Sequence, residues 1–295
     1  MVSGESGTIV SRMLQEGSEK TRDAAEREVR VLKDGQAVKI ASECGCIVRD
    51  VYHEALKAGI IPYRYLRNRA CISVAEQLVL SESRVALVGA GGLGGQVLLL
   101  LARIGIGQIV VVDYDVFDET NLNRQVLCSE KTLGKPKAEE AVLAVELINP
   151  GIEVIPYRFK LESSNTSEIL AGSDVVVDAL DNVPDRFVLE YAAKKLQIPL
   201  VHGALAGFEG RIMTIFPNDP GLKRLYGTKG SDGDRSKSTE SILGVPTVTP
   251  SLIATLQAME VLKILLNRGK IYRNVMVHID LETGEINKFS FDGHP

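Results

Sequence analysis

The stretch Arg84-Val85-Ala86-Leu87-Val88-Gly89-Ala90-Gly91-Gly92-Leu93-Gly94 decides the fold. Val85 to Val88 is a short apolar run and predicts a buried strand. Gly89 to Gly94 matches G-x-G-x-x-G, and a helix from about Leu93 to Ile104 follows it. Glycines let the backbone approach a phosphate, and a helix N-terminus presents free N–H groups and a positive dipole end. Ile109 to Val112 predicts the next strand, which Asp113 ends. An acidic group there can accept hydrogen bonds from ribose hydroxyls. The alternative is a glycine turn that only packs a helix on a strand.

Outward from this unit the pattern repeats. Helices are predicted over 137–148, 167–171 and 185–196, and strands over 153–157, 174–178, 200–202 and 210–216. Strands alternating with helices predict an α/β, Rossmann-like doubly wound, mainly parallel sheet with helices on both faces. Pro250 opens a long apolar helix over 251–266, and 275–281 with 286–291 predicts a C-terminal β-hairpin around Glu282-Thr283-Gly284-Glu285. The polar segment of about 217–240 reads as a mobile loop. Upstream, charged residues 12–33 suggest a solvated helix, and 37–58 a better-patterned helix ended by Gly59. Ser73 and Glu76 form a capping box. The expected division is an N-terminal helical extension, 1–62, and a nucleotide-binding domain, 63–295.

Composition narrows the classes. The 295 residues carry 34 Lys and Arg against 38 Asp and Glu, a net charge of −4, with 45% hydrophobic and 24% charged residues. These values exclude a mostly disordered chain or a collagen. No basic balance points to nucleic acid. The longest uninterrupted apolar run, Val97 to Ala102, is far short of a bilayer span, and the first 13 residues lack a signal-peptide core. Four cysteines do not make a disulfide scaffold. A cytoplasmic protein with neither nucleic-acid nor membrane partners is expected.

Beyond the strand ending at Asp113, the polar run to Gln125 lies at the edge where such sheets bind ligands. It contains Asn121 and Arg124, and Lys137 follows Gly134-Lys135-Pro136. Two cations near a phosphate loop suit a triphosphate and could stabilise charge on departing pyrophosphate; each alone could equally be a surface charge. Asp178-Ala179-Leu180-Asp181-Asn182 ends another strand. Asp181 is a candidate Mg²⁺ ligand, and Asp181, Asn182 or Asp185 could cap the next helix.

In this order, Gly-Ala-Gly-Gly-Leu-Gly, Asp113-x-Asp115, Asn121-Leu-Asn-Arg124-Gln125, Gly134-Lys-Pro-Lys137 and Asp178-Ala-Leu-Asp181-Asn182 resemble the ThiF/MoeB/HesA family, bacterial relatives of ubiquitin-activating enzymes. The resemblance runs from about Arg64 to Leu266 and includes Gln257 to Lys263. It implies an ATP- and Mg²⁺-dependent adenylyltransferase acting on the C-terminal Gly of a ubiquitin-like sulfur-carrier protein of ThiS/MoaD type, ending in Gly-Gly, for thiamine, molybdopterin or related cofactor biosynthesis. It assigns Asp113 to the ribose and Asp181 to Mg²⁺. It assigns Gly89, Gly91, Gly92, Gly94, Asn121, Arg124, Gln125, Lys137 and Asn182 to the nucleotide, with Arg124, Lys137 and Asp181 serving the chemistry.

Arg64-Tyr65-Leu66-Arg67-Asn68 is similar to the family's R-Y-x-R-Q segment, with Asn68 in place of Gln and a position two residues closer to the glycine loop. Arg67 is the implied arginine finger to the partner subunit's ATP, so a homodimer is expected. The family's two Cys-x-x-Cys pairs are missing, so no structural zinc is expected. Cys44 and Cys46 read as buried small residues on a helix. Residues 217–250 hold no cysteine, and Cys128 matches no catalytic position of the family, which implies adenylation without a thioester on this chain. Three alternatives are a tRNA-modifying dehydratase of the same superfamily, which the net charge does not favour; an NAD-dependent oxidoreductase; and an inactive partner protein. The four histidines are scattered and read as structural or solvated.

Overall fold

The computed structural model describes residues 4–227 and 242–291. The chain divides into two compact units. The first comprises Met1–Ser83, Ala102–Gln108 and Glu146–Glu153. Its elements are α1 (Gly4–Gly17), β1 (Glu19–Arg22), β2 (Glu28–Leu32), α2 (Asp34–Cys44), α3 (Val48–Lys57), β3 (Ile61–Pro62), a 3₁₀ turn Tyr63–Asn68, and α4 (Val74–Glu82). Antiparallel β1–β2 and parallel β2–β3 pairs form a three-stranded sheet.

The single helix expected over 12–33 is not formed. α1 stops at Gly17 and the chain turns back as a hairpin. Two local features account for this. Asp23 accepts the amides of Ala25 and Arg27 at 2.9 and 3.0 Å and so closes the turn. Val29 and Val31 alternate into a core with Leu14, Ile40 and Tyr52, a strand period hidden among charges. The helix expected over 37–58 is two helices. Gly45, at φ 63°, ends α2 by bonding back to the Ala41 carbonyl. Cys44 ends α2 and Cys46 lies in the break, both half-buried rather than buried on a continuous helix. The Ser73–Glu76 capping box is present, with Glu76 N–H donating to Ser73 Oγ at 3.2 Å.

The second unit comprises Arg84–Leu101, Ile109–Val145 and Val154–Pro295. Its strands are β4 (Arg84–Val88), β5 (Gln108–Val112), β6 (Glu153–Tyr157), β7 (Val175–Asp178), β8 (Leu200–Ala206), β9 (Glu209–Ile215), β10 (Val275–Asp280) and β11 (Ile286–Ser290). They form a sheet in the order β11-β10-β9-β8-β7-β4-β5-β6. β4, β7 and β8 run parallel, while β8 to β11 form an antiparallel wing that ends in the expected C-terminal hairpin. Helices lie on both faces, as expected for a Rossmann-like fold. They are α5 (Gly92–Ile104), α6 (Lys137–Ile148), α7 (Thr166–Leu170), α8 (Val183–Lys195), α9 (Lys223–Tyr226) and α10 (Val248–Leu265).

α10 is long and apolar enough to cross a membrane by length and composition, but over half of it is buried and it packs on β7, β8 and β9 as a core helix. Of the expected loop of about 217–240, residues up to 227 include α9, and 228–241 lie outside the described residues. From β4 the chain proceeds to β5 on one side, whereas β7 flanks β4 on the other. This reversal makes the carboxyl ends of β4 and β7 the switch-point crevice where open α/β sheets bind ligands.

Candidate active site

The crevice is a cavity of about 960 Å³ within the second unit. Of the residues expected at the site, Gly89, Gly91, Gly92, Asp113, Arg124, Gln125, Lys137, Asp181 and Asn182 line it together. Gly94, Asn121 and Arg67 are not among its lining residues.

Each position has a local cause. β4 is buried from Val85 onward, and its last residue passes directly into Gly89. Gly89 has φ 95°, and a Cβ there would lie 2.5 Å from the Ala179 carbonyl oxygen at the end of β7. A Cβ on Gly94 would lie 1.8 Å from the Gly89 carbonyl oxygen. Gly94 therefore lets α5 start tight against the loop. By contrast, a Cβ on Gly91 would meet only Gln125 Nε2 at 3.7 Å and one on Gly92 the Arg124 side chain at 3.3 Å.

Asp113 is buried at the end of β5 and accepts the Ala90 amide at 2.7 Å and the Asp115 amide at 2.8 Å. Burial pushes its carboxyl up, against the pull of those amides and of Lys137. Each oxygen keeps a second lone pair for a ligand hydroxyl. Asp113 thus fixes the glycine loop as well as facing the cavity.

Lys137 is the first residue of α6 and is only 6% exposed. Its ammonium lies 3.2 Å from Asp115 Oδ2 and 6.0 Å from the Phe117 ring centroid. Arg124 Nη1 donates to the Thr120 carbonyl and to Asn123 Oδ1, both at 2.9 Å, so the guanidinium is held through one nitrogen. The Gln125 side-chain oxygen is buried with no hydrogen-bond partner among the described residues. An unsatisfied acceptor beside the loop is what a ligand donor would satisfy. Asn121 accepts the Asp118 amide at 3.1 Å and so holds the turn that carries Arg124.

Asn182 proves to be the cap of α8, accepting the Asp185 amide at 2.9 Å. Asp181 beside it is exposed and lines the cavity. One carboxylate facing a phosphate site fits Mg²⁺, which completes its shell with phosphate and water oxygens. Among the described residues no group of three or more His, Cys, Asp or Glu is placed to hold a metal by itself.

Sequence reasoning missed several lining residues: Lys160, Arg186, Arg211 and Tyr226. His202 fits the reading of the histidines as structural or solvated, but its pairing was not foreseen. His202 is fully buried, and its Nδ1 lies 2.7 Å from Asp178 Oδ2. Burial holds its pKa below the ordinary value, although Asp178 acts in the opposite sense. The available signal was register: aligning β7 with β8 as parallel neighbours puts Asp178 opposite His202.

A Rossmann-like sheet, a glycine loop at its switch point, a ribose-type acid and converging cations define a nucleotide-binding α/β protein. The sequence matches the ThiF family over residues 65–294, and the chain belongs to that family. It is 42% identical over 192 residues to the SAMP-activating enzyme E1 of Haloferax volcanii, covering 65% of this chain and 70% of that one. It is 38% identical over 198 residues to the sulfur carrier protein adenylyltransferase of Thermus thermophilus, covering 65% and 72%. Relatives named adenylyltransferase and sulfurtransferase MOCS3 are longer; the chain spans 46% of the one from Arabidopsis thaliana. The crystal structure of E. coli MccB with ATP shares the fold, with a TM-score of 0.66 at 21% identity over 88% of this chain and 83% of that one.

Proposed function

We propose that the chain adenylates the C-terminal Gly carboxylate of a ubiquitin-like sulfur-carrier protein, using ATP and Mg²⁺, with 63–295 as its adenylation domain and 1–62 as an extension. The observation that carries this reading is the gathering of the glycine loop, Asp113, Arg124, Lys137 and Asp181 around one cavity. Relatives named for sulfur-carrier and SAMP activation support the substrate class. A hydride-transfer enzyme would need the loop and Asp113 but not three further charged groups.

In this reading the loop amides bind the phosphates, Gln125 offers its unpaired side-chain oxygen to a hydroxyl or amino donor of the nucleotide, and Asp113 takes the ribose. Asp181 would hold Mg²⁺, which supplies charge neutralisation on the phosphate oxygens. A carrier carboxylate oxygen attacks the α-phosphorus, the bond to the bridging oxygen breaks, and pyrophosphate leaves with that electron pair. Arg124 and Lys137 stabilise the charge that develops, so the protein supplies position and electrostatics and no nucleophile. The product is an acyl-adenylate, whose sulfur acceptor would come from elsewhere, in thiamine, molybdopterin or a related route. Mass spectrometry of a Gly-Gly-ending carrier incubated with ATP is expected to show an added AMP at its C-terminus. NAD binding without ATP binding would contradict the reading.

The same reading proposes a cytoplasmic homodimer with Arg67 completing the partner subunit's site. Arg67 is exposed in the 3₁₀ turn and makes no hydrogen bond or ion pair with the described residues. Mixing inactive Arg67→Ala and Asp181→Ala proteins is expected to restore part of the activity, since a mixed dimer contains one intact composite site. A mixture as inactive as its components would remove Arg67 from that role.

A further inference from the structure

The cavity has a second region. Ala204, Ala206 and Arg211 line it from β8 and β9, together with Gly244, while Arg186 and Tyr226 come from α8 and α9. β8 and α8 adjoin the end of β7, which carries Asp181, so this wall lies beside the groups that would hold the nucleotide. Small side chains and two guanidinium groups suit an extended peptide ending in a carboxylate.

Part of this wall is set by a directed hydrogen-bond chain. Asp178 is fully buried and takes the Leu180 amide at 3.0 Å and His202 Nδ1 at 2.7 Å. A carboxylate only accepts, so Nδ1 carries the proton, and in the neutral ring that burial favours Nε2 is an acceptor. Tyr226 Oη lies 3.3 Å from Nε2 and therefore donates to it. The same Oη accepts from Arg186 Nη1 at 2.8 Å, while Arg186 Nη2 donates to the Leu180 carbonyl at 2.5 Å. The Tyr226 ring also stands edge-on to His202 and to Phe187. Its hydroxyl proton is thus committed inward, and the Arg186 guanidinium is fixed at the cavity wall. Besides Asp178, the charged groups bearing on His202 are Arg186 and Arg211.

We propose that His202 is a positioning residue for the acyl partner: through Tyr226 it orients Arg186 in the wall that receives the peptide carboxylate. The proposal rests on the adenylation reading. Tyr226→Phe removes the hydroxyl between His202 and Arg186 but keeps both ring contacts and leaves each beside Asp178, whose Oδ2 lies 2.7 Å from His202 Nδ1 and 3.8 Å from Arg186 Nε, so the fold is expected to survive. Its KM for the Gly-Gly-ending carrier that supports exchange should rise roughly ten-fold, with kcat and the KM for ATP little changed. Histidine ¹⁵N spectra of the wild type should show His202 protonated at Nδ1 only, with the Nε2 signal displaced in Tyr226→Phe. An unchanged carrier KM, an equal rise in both KM values, or an Nε2-protonated His202 would overturn the proposal and leave adenylation standing. A wild-type protein that adenylates no carrier would overturn both.

Discussion

Gly94→Ala is expected to lose both stability and nucleotide binding, whereas Gly91→Ala loses only binding. A Cβ on Gly94 would sit 1.8 Å from the Gly89 carbonyl oxygen, well inside any allowed contact, and the obstacle is backbone. α5 must move away from the loop, or the loop must move away from β4. Overpacking of this kind costs about 3 kcal/mol, the upper end of its usual range. At roughly 2–4 °C per kcal/mol for a domain of this size, melting should fall by about 6–12 °C. Gly91 has open space, its nearest neighbour being the Gln125 amide at 3.7 Å. A methyl there fits the free protein but occupies the place a phosphate needs. Calorimetric ATP titration beside thermal melts separates the two effects. Equal melting and ATP affinity in Gly94→Ala and the wild type would refute the close-packing argument.

The second large effect concerns charge. Arg124→Ala and Asp181→Ala are each expected to lower ATP–pyrophosphate exchange by about 10²–10³-fold or more, the range for removing one group that stabilises transition-state charge. Neither should unfold the protein. Among the described residues the Arg124 side chain makes hydrogen bonds only within its own turn, and Asp181 is exposed, so stability changes of about 0.5 kcal/mol are expected. Arg124→Lys keeps the charge but not the planar fork, and partial recovery is expected. Wild-type exchange in both alanine variants would show that the cavity's charges do not serve the proposed chemistry.

How much of this was legible depended on the range of the interactions. The glycine loop, Asp113 and the strand end at Asp178 were readable because motif, strand and helix are contiguous. Lys137 was placed correctly at the start of α6 because the helix pattern begins there. The N-terminal hairpin was not readable, because the Val29–Val31 alternation spans one short strand flanked by charges. The break at Gly45 was hidden because the apolar pattern continues across it into α3. His202 and Tyr226 escaped notice for a different reason. Asp178–His202 and His202–Tyr226 each join residues 24 positions apart and Tyr226–Arg186 joins residues 40 apart, so the chain exists only once β7 and β8 are in register and Tyr226 has packed beside them. Asn121 shows the converse. The resemblance assigns it to the phosphates, while its amide in this structure holds the Asp118 turn, and a supporting role for Arg124 follows from that geometry.

The central claim is adenylation of a carrier's C-terminal carboxylate. Exchange of radiolabelled pyrophosphate into ATP, measured with and without a panel of small proteins ending in Gly-Gly, tests it most directly. Mg²⁺-dependent exchange is expected to appear with at least one carrier and to vanish when that carrier's last Gly is removed. ATP binding without exchange for any carrier would contradict it and shift the substrate to another carboxylate or to tRNA.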